Sequence, residues 1–314
     1  MLPACSGRSS PYSYEDTMTT QTRSAVSQTA PVGPAARVLP YFDPYVMTKN
    51  RRESLLQEQY NNYTRLVDAV IEGNGRVNMT GEEFAGLGNL LAESLPLAWL
   101  VLRMNYSESD NGVVIKYRYG SDEHNRLVDE FAKKIDAIKK KCETAAGSDI
   151  ARAMSVYGYV ASNTVSGGEA SSYTALMEGR GNSEAYAGAL EFLLLQAGIP
   201  CLHITGIAKN NENRAWTAAM LGGKWYHLDA SRESWNYDGK GLTYFGLTDA
   251  ELEARGTRDM KSVTEHWETG DLPECADGRF SVFRDCSAWA YNGANNTIEY
   301  SVGGSKEKKE FRLF

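Results

Sequence analysis

Histidine and cysteine are scarce in this sequence. The 314 residues hold only His124, His203, His227 and His266, and Cys5, Cys142, Cys201, Cys275 and Cys286. No Cys-x-x-Cys or His-x-x-x-His spacing occurs among them, which argues against a structural zinc site. Walker and dinucleotide glycine loops are missing too, so no metal and no nucleotide cofactor is expected. Positive charge is in deficit: Lys+Arg 33 against Asp+Glu 40 gives −7. A general nucleic-acid binder usually presents a basic face, so that class is set aside. Long apolar runs are absent as well. The longest, Leu95 to Leu102, spans eight residues, far short of the roughly 20 that a membrane-spanning helix needs. What the chain does have is 42% hydrophobic residues, 18 Tyr and 6 Trp. A sizeable core can form, and aromatic side chains are available for pockets that bind peptides or sugars.

The first residues form a separate region. Leu2-Pro3-Ala4-Cys5 resembles the end of a bacterial lipoprotein signal, with Cys5 as the lipidated residue. Gly7 to Ala36 is rich in Ser, Thr, Pro, Gln and Ala and has almost no large apolar side chains. Such a segment cannot bury enough surface to offset its ordering entropy. Residues 1–44 therefore read as a signal remnant and flexible tether, implying an extracytoplasmic, lipid-anchored protein at the cell surface. A disordered tail on a cytoplasmic protein is the alternative.

Residues 45–147 read as a helix-rich mixed unit. Leu55, Leu56, Tyr60, Tyr63, Leu66, Val67, Val70 and Ile71 form one helical stripe over Asn50 to Gly73. Val113, Ile115, Tyr117 and Tyr119 alternate with Val114, Lys116 and Arg118 as a strand, after a turn at Asn111-Gly112. Leu127, Phe131, Ile135, Ile138 and Cys142 step at helical spacing, and Lys139, Lys140 and Lys141 suit a solvated helix end. No chemistry is visible in this unit.

Residues 148–255 carry the information. Ser148-Asp149 caps a helix with Ile150, Met154, Tyr157 and Val160 on one face. A second helix starts near Ser183 and buries Tyr186, Ala187, Leu190, Leu193 and Leu194. Gly198 ends it, with Pro200 beyond. Strands follow at Cys201 to Ala208, Ala215 to Leu221 and Lys224 to Asp229, the last two joined by a tight Gly222-Gly223 hairpin. Residues 256–314 read as strands and loops. Ile298, Tyr300 and Val302 alternate with polar residues, and Asn292-Gly293 marks a turn. Cys275 and Cys286 could bridge in a secreted protein, or not, since spacing does not fix geometry. Lys306, Lys308, Lys309 and Arg312 read as exposed tail.

Four segments of the third unit, in order, resemble the transglutaminase-like family. They are Gly181-Asn182-Ser183-Glu184-Ala185-Tyr186-Ala187, Gly198-Ile199-Pro200, Arg214-Ala215-Trp216-Thr217 and Trp225-Tyr226-His227-Leu228-Asp229. The family's counterparts are Gly-x-Cys-x-Gly-Tyr-Ala opening a helix, Gly-Ile-Pro, His-Ala-Trp-Asn and Trp-Tyr-x-x-Asp. Tyr244 to Asp249 also resembles a family segment. The resemblance implies an α+β, papain-like core: a helix carrying the nucleophile position, packed on an antiparallel sheet. It further implies a Cys-His-Asp triad acting on amides, with a helix-terminal thiolate as nucleophile, the imidazole as proton shuttle and the carboxylate as its orienting partner.

This sequence departs from that pattern at the positions that matter. Ser183 stands where the family has Cys, Arg214 where it has His, and Thr217 where it has Asn; only Asp229 is kept. A serine hydroxyl needs an adjacent base, and arginine stays protonated. Losing a nucleophile or base typically costs on the order of 10⁴ to 10⁶ in rate. The expectation is a catalytically inactive, binding or scaffolding member of the family, with a peptide, protein or cell-wall component as ligand. Its cleft would involve Asn182, Tyr186, Trp216, Thr217 and Trp225, with Tyr173 and Trp235 as further stacking candidates. Arg214 is expected to face Asp229 in a charge-assisted pair, bidentate or through one nitrogen. The alternative is a serine-dependent hydrolase or acyltransferase with Ser183 as nucleophile. His227, two residues from Asp229 on one strand, would then be its rescuing base. His203 and Cys201 read as buried structural residues, and His124 and His266 have no partners in view.

Overall fold

The computed structural model describes residues 41–143, 148–169, 171–262, 272–305 and 307–313. Cys5, the 7–36 segment, His266 and Lys306 lie outside them. The first helices are α1 (Lys49–Ser54) and α2 (Gln57–Glu72), where the sequence suggested one continuous stripe. The break falls at Leu55 and Leu56, both in extended conformation. Leu55 turns into the core, and the Leu56 N–H is taken by the Gln59 side chain at 2.8 Å, which opens the next helix. Gly73, at φ 71°, closes α2.

Strands β1 (Arg76–Val77), β2 (Val101–Ser107) and β3 (Gly112–Tyr117) form a small antiparallel sheet in the order β1-β3-β2. Helices α3 (Gly81–Phe84) and α4 (Leu87–Ser94) lie between β1 and β2. Helix α5 (Ser121–Glu143) follows and buries Val128, Phe131, Ile135, Ile138 and Cys142. Helix α6 (Asp149–Asn163) is capped by Ser148, whose Oγ accepts from the Ala151 N–H at 3.2 Å. Two short strands, β4 (Val165–Ser166) and β5 (Arg180–Gly181), pair in parallel around α7 (Ser172–Met177).

Helix α8 (Ser183–Gln196) is the centre of the molecule. It buries Ala185, Tyr186, Ala187, Ala189, Leu190, Phe192, Leu193 and Leu194, and a helix apolar on nearly every side must sit inside the core. Gly181 makes its entry possible, because a Cβ there would lie 2.3 Å from the Ala185 Cβ.

The main sheet is antiparallel, in the order β10-β6-β7-β8-β9. Its strands are β6 (Cys201–Ile207), β7 (Asn213–Leu221), β8 (Lys224–Leu228), β9 (Phe245–Leu247) and β10 (Arg258–Ser262). Gly222 and Gly223, at φ 59° and 77°, make the hairpin between β7 and β8. Helices α9 (Ala230–Glu233) and α10 (Asp249–Ala254) flank β9. A last sheet, β11 (Cys286–Asn292), β12 (Thr297–Val302) and β13 (Lys308–Arg312), is a meander.

The architecture is α+β, with the α8 helix on one face of the sheet. Alternation along the strands decides what each face sees. Thr217 donates from Oγ1 to the Ala187 carbonyl, so its face meets α8. Trp216 and Ala218 point the other way and join Leu202, Ile204, Leu247 and Leu252 in a second apolar cluster. The first cluster runs from Phe42 to Leu313 and takes side chains from both ends of the described residues. Phe42 of the N-terminal part meets Phe131 of α5 and Phe192 of α8, with ring centroids 5.4 and 5.9 Å away. Cys275 and Cys286 are both free thiols, each buried in its own surroundings, so the possible bridge is not formed. No helix among the described residues is long and apolar enough to cross a membrane.

Candidate functional site

Asn182 caps α8, its Oδ1 accepting from the Ala185 N–H at 3.1 Å. Ser183 follows as the first helical residue, half-buried. Its Oγ accepts from the Ala215 N–H at 3.2 Å. Ala215 lies beyond the last β7–β8 pair, Thr217 with Leu228, so the hydroxyl takes a donor that β8 leaves free. Arg214 directly precedes Ala215. Its Nη2 donates to Ser231 Oγ at 2.6 Å and lies 3.5 and 3.4 Å from the two Asp229 oxygens. The fold thus gathers the Ser183, Arg214 and Asp229 positions at one end of the sheet.

Arg214 faces Asp229 as expected, through a single nitrogen that straddles the carboxylate. Asp229 is buried and already well supplied. Its Oδ1 caps α9 by accepting from the Arg232 N–H at 2.9 Å and from Ser231 Oγ at 3.0 Å, and Arg232 Nε stands 3.7 Å from Oδ2. The carboxylate that would steer an imidazole in the family holds a helix end here.

His227 does not serve Ser183. It lies on the sheet face opposite α8, beside Trp216, and both ring nitrogens are engaged. Nδ1 accepts from Trp216 Nε1–H at 3.0 Å, and Nε2 is 2.8 Å from Asp249 Oδ1. Indole N–H is a donor only. Nδ1 must therefore present its lone pair, and the proton sits on Nε2, donated to Asp249. The two-residue spacing from Asp229 misled because the β8 pairing with β9 shifts register at His227 and Leu228 and the strand ends there. His227, Asp249 and Cys275 do bring one ligand atom each within 4.8 Å of one another. That set does not fit a cation as arranged, because the Nε2 that would bind it carries the proton. Burial raises the Cys275 thiol above its usual range, which also disfavours the thiolate. Burial opposes ionisation of Asp249 too, but the bonds from His227 and the Cys275 N–H prevail and lower it.

The aromatic lining needs correction as well. Tyr186, Trp216 and Thr217 are core residues, and Tyr173 is buried with its ring stacked on Trp99 at 4.7 Å. Trp225 is half-buried against the second cluster. Of these candidates Asn182 and Trp235 are exposed, Trp235 at 78%. The Trp-bearing segments are scaffold, and their pattern says nothing about which rings reach solvent.

Sequence reasoning missed a polar chain under α8. His203 Nε2 lies 2.9 Å from Glu184 Oε2, and this bond holds the Glu184 carboxyl below its usual range. His203 Nδ1 is 3.8 Å from Glu191 Oε2. Glu191, 3% exposed, pairs through Oε1 with Arg51 of α1. The signal was present: Glu191 is the lone charge in the run Ala189 to Leu195. Cys201 is the buried thiol expected of it, bonded to the Glu191 carbonyl and raised well above its normal range by burial. His124 is buried against Tyr117, with Nε2 2.7 Å from the Val70 carbonyl.

Comparison with known families matches residues 132–230, about a third of the chain, to the transglutaminase-like superfamily. No curated protein matches. Among solved structures, a protein from Cytophaga hutchinsonii described as a candidate cysteine protease shares 16% identity at TM-score 0.28, over 45% of this chain and 55% of its own. A protein described as a TGase shares 13% identity at TM-score 0.29, over 38% and 40%. A candidate protease from Parabacteroides distasonis shares 14% identity at TM-score 0.30, over 55% and 35%. The chain thus spans about half or less of the solved proteins it matches. The segment 132–230, which holds the helix-on-sheet core, is thus what this chain shares with the transglutaminase-like superfamily.

Proposed function

We propose that this domain is a catalytically silent member of its superfamily that acts by binding, with a peptide, protein or cell-wall component as ligand. One observation carries the reading. The hydroxyl at the nucleophile position accepts a backbone hydrogen bond, and the side chain at the base position is a guanidinium committed to Ser231 and Asp229. Arginine takes no proton from serine at any physiological pH. The two nearby sheet histidines are held elsewhere, His227 by Trp216 and Asp249 and His203 by Glu184. Surface anchoring through Cys5 belongs to the same proposal and is checked by mass spectrometry of the N-terminal peptide from cells.

The test of silence is chemical. A serine-directed fluorophosphonate is expected to leave Ser183 unlabelled under conditions that label an active serine hydrolase. Stoichiometric labelling that disappears in Ser183→Ala would overturn the reading and favour a serine-dependent hydrolase. The paired reversion Ser183→Cys with Arg214→His asks the complementary question. Thiol-dependent amidase activity in that variant alone would show that the pocket keeps the shape of the ancestral reaction.

A further inference from the structure

A guanidinium carries five N–H donors, and three arginines near the former catalytic position have few acceptors between them. Arg214, Arg232 and Arg255 are strung around Asp229 and Tyr244. Arg214 Nη2 and Arg232 Nε stand 3.4 and 3.7 Å from the same Asp229 oxygen. The guanidinium carbons of Arg232 and Arg255 lie 5.9 and 4.9 Å from the centroid of the Tyr244 ring. Among the described residues, Asp229 is the only carboxylate in ion-pair range of any of the three. The guanidinium hydrogen bonds of this group all leave from Nη2 of Arg214, and Arg214 Nε is buried without an acceptor. Glu233 takes its bonds from the Tyr157 hydroxyl, the Tyr244 N–H and the Asn236 side chain and pairs with none of them.

Two of the three positive charges therefore share one carboxylate and the third, Arg255, has none in ion-pair range among the described residues, in a chain whose net charge is −7. The three side chains are partly open to solvent. A carboxylate end and an aromatic face fix their positions, which limits the entropy a ligand must remove. Planar forks so arranged match the geometry of carboxylate and phosphate oxygens.

We propose that Arg214 and Arg232 at Asp229, continued by Arg255 across the Tyr244 ring, form a binding site for an anionic oxygen group, a carboxylate or a phosphate. The inference rests on reading the domain as a binder and gives that binder a ligand class: the guanidinium that replaced the imidazole is a ligand-recognition group.

Titration calorimetry on the full chain tests it, with inorganic phosphate and with hexaglutamate as probes, at low and at high salt. At least one probe is expected to bind, more weakly as salt rises. The Arg232→Gln/Arg255→Gln variant should lose roughly tenfold or more in affinity, as expected for lost charge-assisted bonds. Arg255→Lys keeps the charge but not the fork and should fall between. Lys116→Gln, an exposed charge on β3, serves as the control for net charge. Circular dichroism confirms that each variant is folded. Hexaglutamate binding alone assigns the site to carboxylates, and phosphate binding alone to phosphates. Binding by neither probe, or equal affinity in the arginine and Lys116 variants, overturns the proposal. Labelling of Ser183 by fluorophosphonate with arginine-dependent binding intact would instead overturn the silent-enzyme reading and leave the anion site standing.

Discussion

Arg51 in α1 and Glu191 in α8 form an ion pair inside the protein, at 1% and 3% side-chain exposure and 140 residues apart in the chain. Glu93 adds a second carboxylate 3.7 Å from Arg51 Nε. Burial alone would favour the neutral guanidine, but Glu191 and Glu93 reverse that and raise the Arg51 pKa. The pair ties the N-terminal helices to the helix that bears Ser183. Removing one partner leaves a charge without compensation in the core. Arg51→Ala or Glu191→Ala should therefore cost about 3–5 kcal/mol, while Arg51→Met with Glu191→Met should cost far less, within about 1 kcal/mol of wild type. Urea unfolding of the three variants measures this. Single variants as stable as the double would show that the pair is not desolvated.

Arg214 is a different case. Asp229 keeps its bonds from Ser231 Oγ and the Arg232 N–H, and a second guanidinium at 3.7 Å, when Arg214 is removed. Arg214→Ala should accordingly cost only about 1 kcal/mol. Asp229→Ala removes the α9 cap and leaves two arginines facing each other, so it should cost about 2–3 kcal/mol. The order of the two, read from chemical denaturation, is the prediction. A larger loss for Arg214→Ala would mean that the arginine, not the helix cap, holds the carboxylate in place.

What the sequence made legible follows from local rules. The Ser148 cap, the Gly198 stop and the Gly222-Gly223 hairpin are set by neighbouring residues, and they stand where those rules put them. The convergence of Ser183, Arg214 and Asp229 came from a pattern of four segments in order. The direction of side chains was not legible in the same way. His227 and Asp229 share strand parity, yet the strand ends between them, and one ring bond to Trp216 fixed the tautomer. Glu191 and Arg51 lie too far apart for any spacing rule to pair them. The break at Leu55-Leu56 was invisible because both residues fit a helical stripe, and only tertiary burial of one and exposure of the other separates them.

The His227 geometry makes its own prediction. Nitrogen-15 spectra of histidine-labelled protein near neutral pH should show His227 as the Nε2–H tautomer. Trp216→Phe removes the donor to Nδ1 and should release this preference, at a cost of about 1–3 kcal/mol for the buried acceptor left unmade. Finding Nδ1 protonated in the wild type would remove the objection to His227 as a metal ligand.

The bidentate fork that Arg214 lacks is made by Arg284. Its Nε and Nη2 donate to the two oxygens of Glu251 at 2.7 and 2.8 Å, and Nη2 also reaches the Gly246 carbonyl. Burial alone would raise the Glu251 carboxyl, but the Arg284 bonds and the Thr248 N–H prevail and hold it down to about 2, from an ordinary 4.5. Between those values the native carboxylate stays ionised while the unfolded chain takes up a proton. Stability from this contact is therefore complete above about pH 4.5 and is lost as pH falls toward 2. Other carboxylates also contribute to acid unfolding, so the informative quantity is a difference. The melting temperature of wild type minus that of Glu251→Gln should be positive at pH 6 and shrink steadily through this window. A difference that stays constant down to pH 2 would show that the Arg284 fork does not perturb Glu251 in the folded protein.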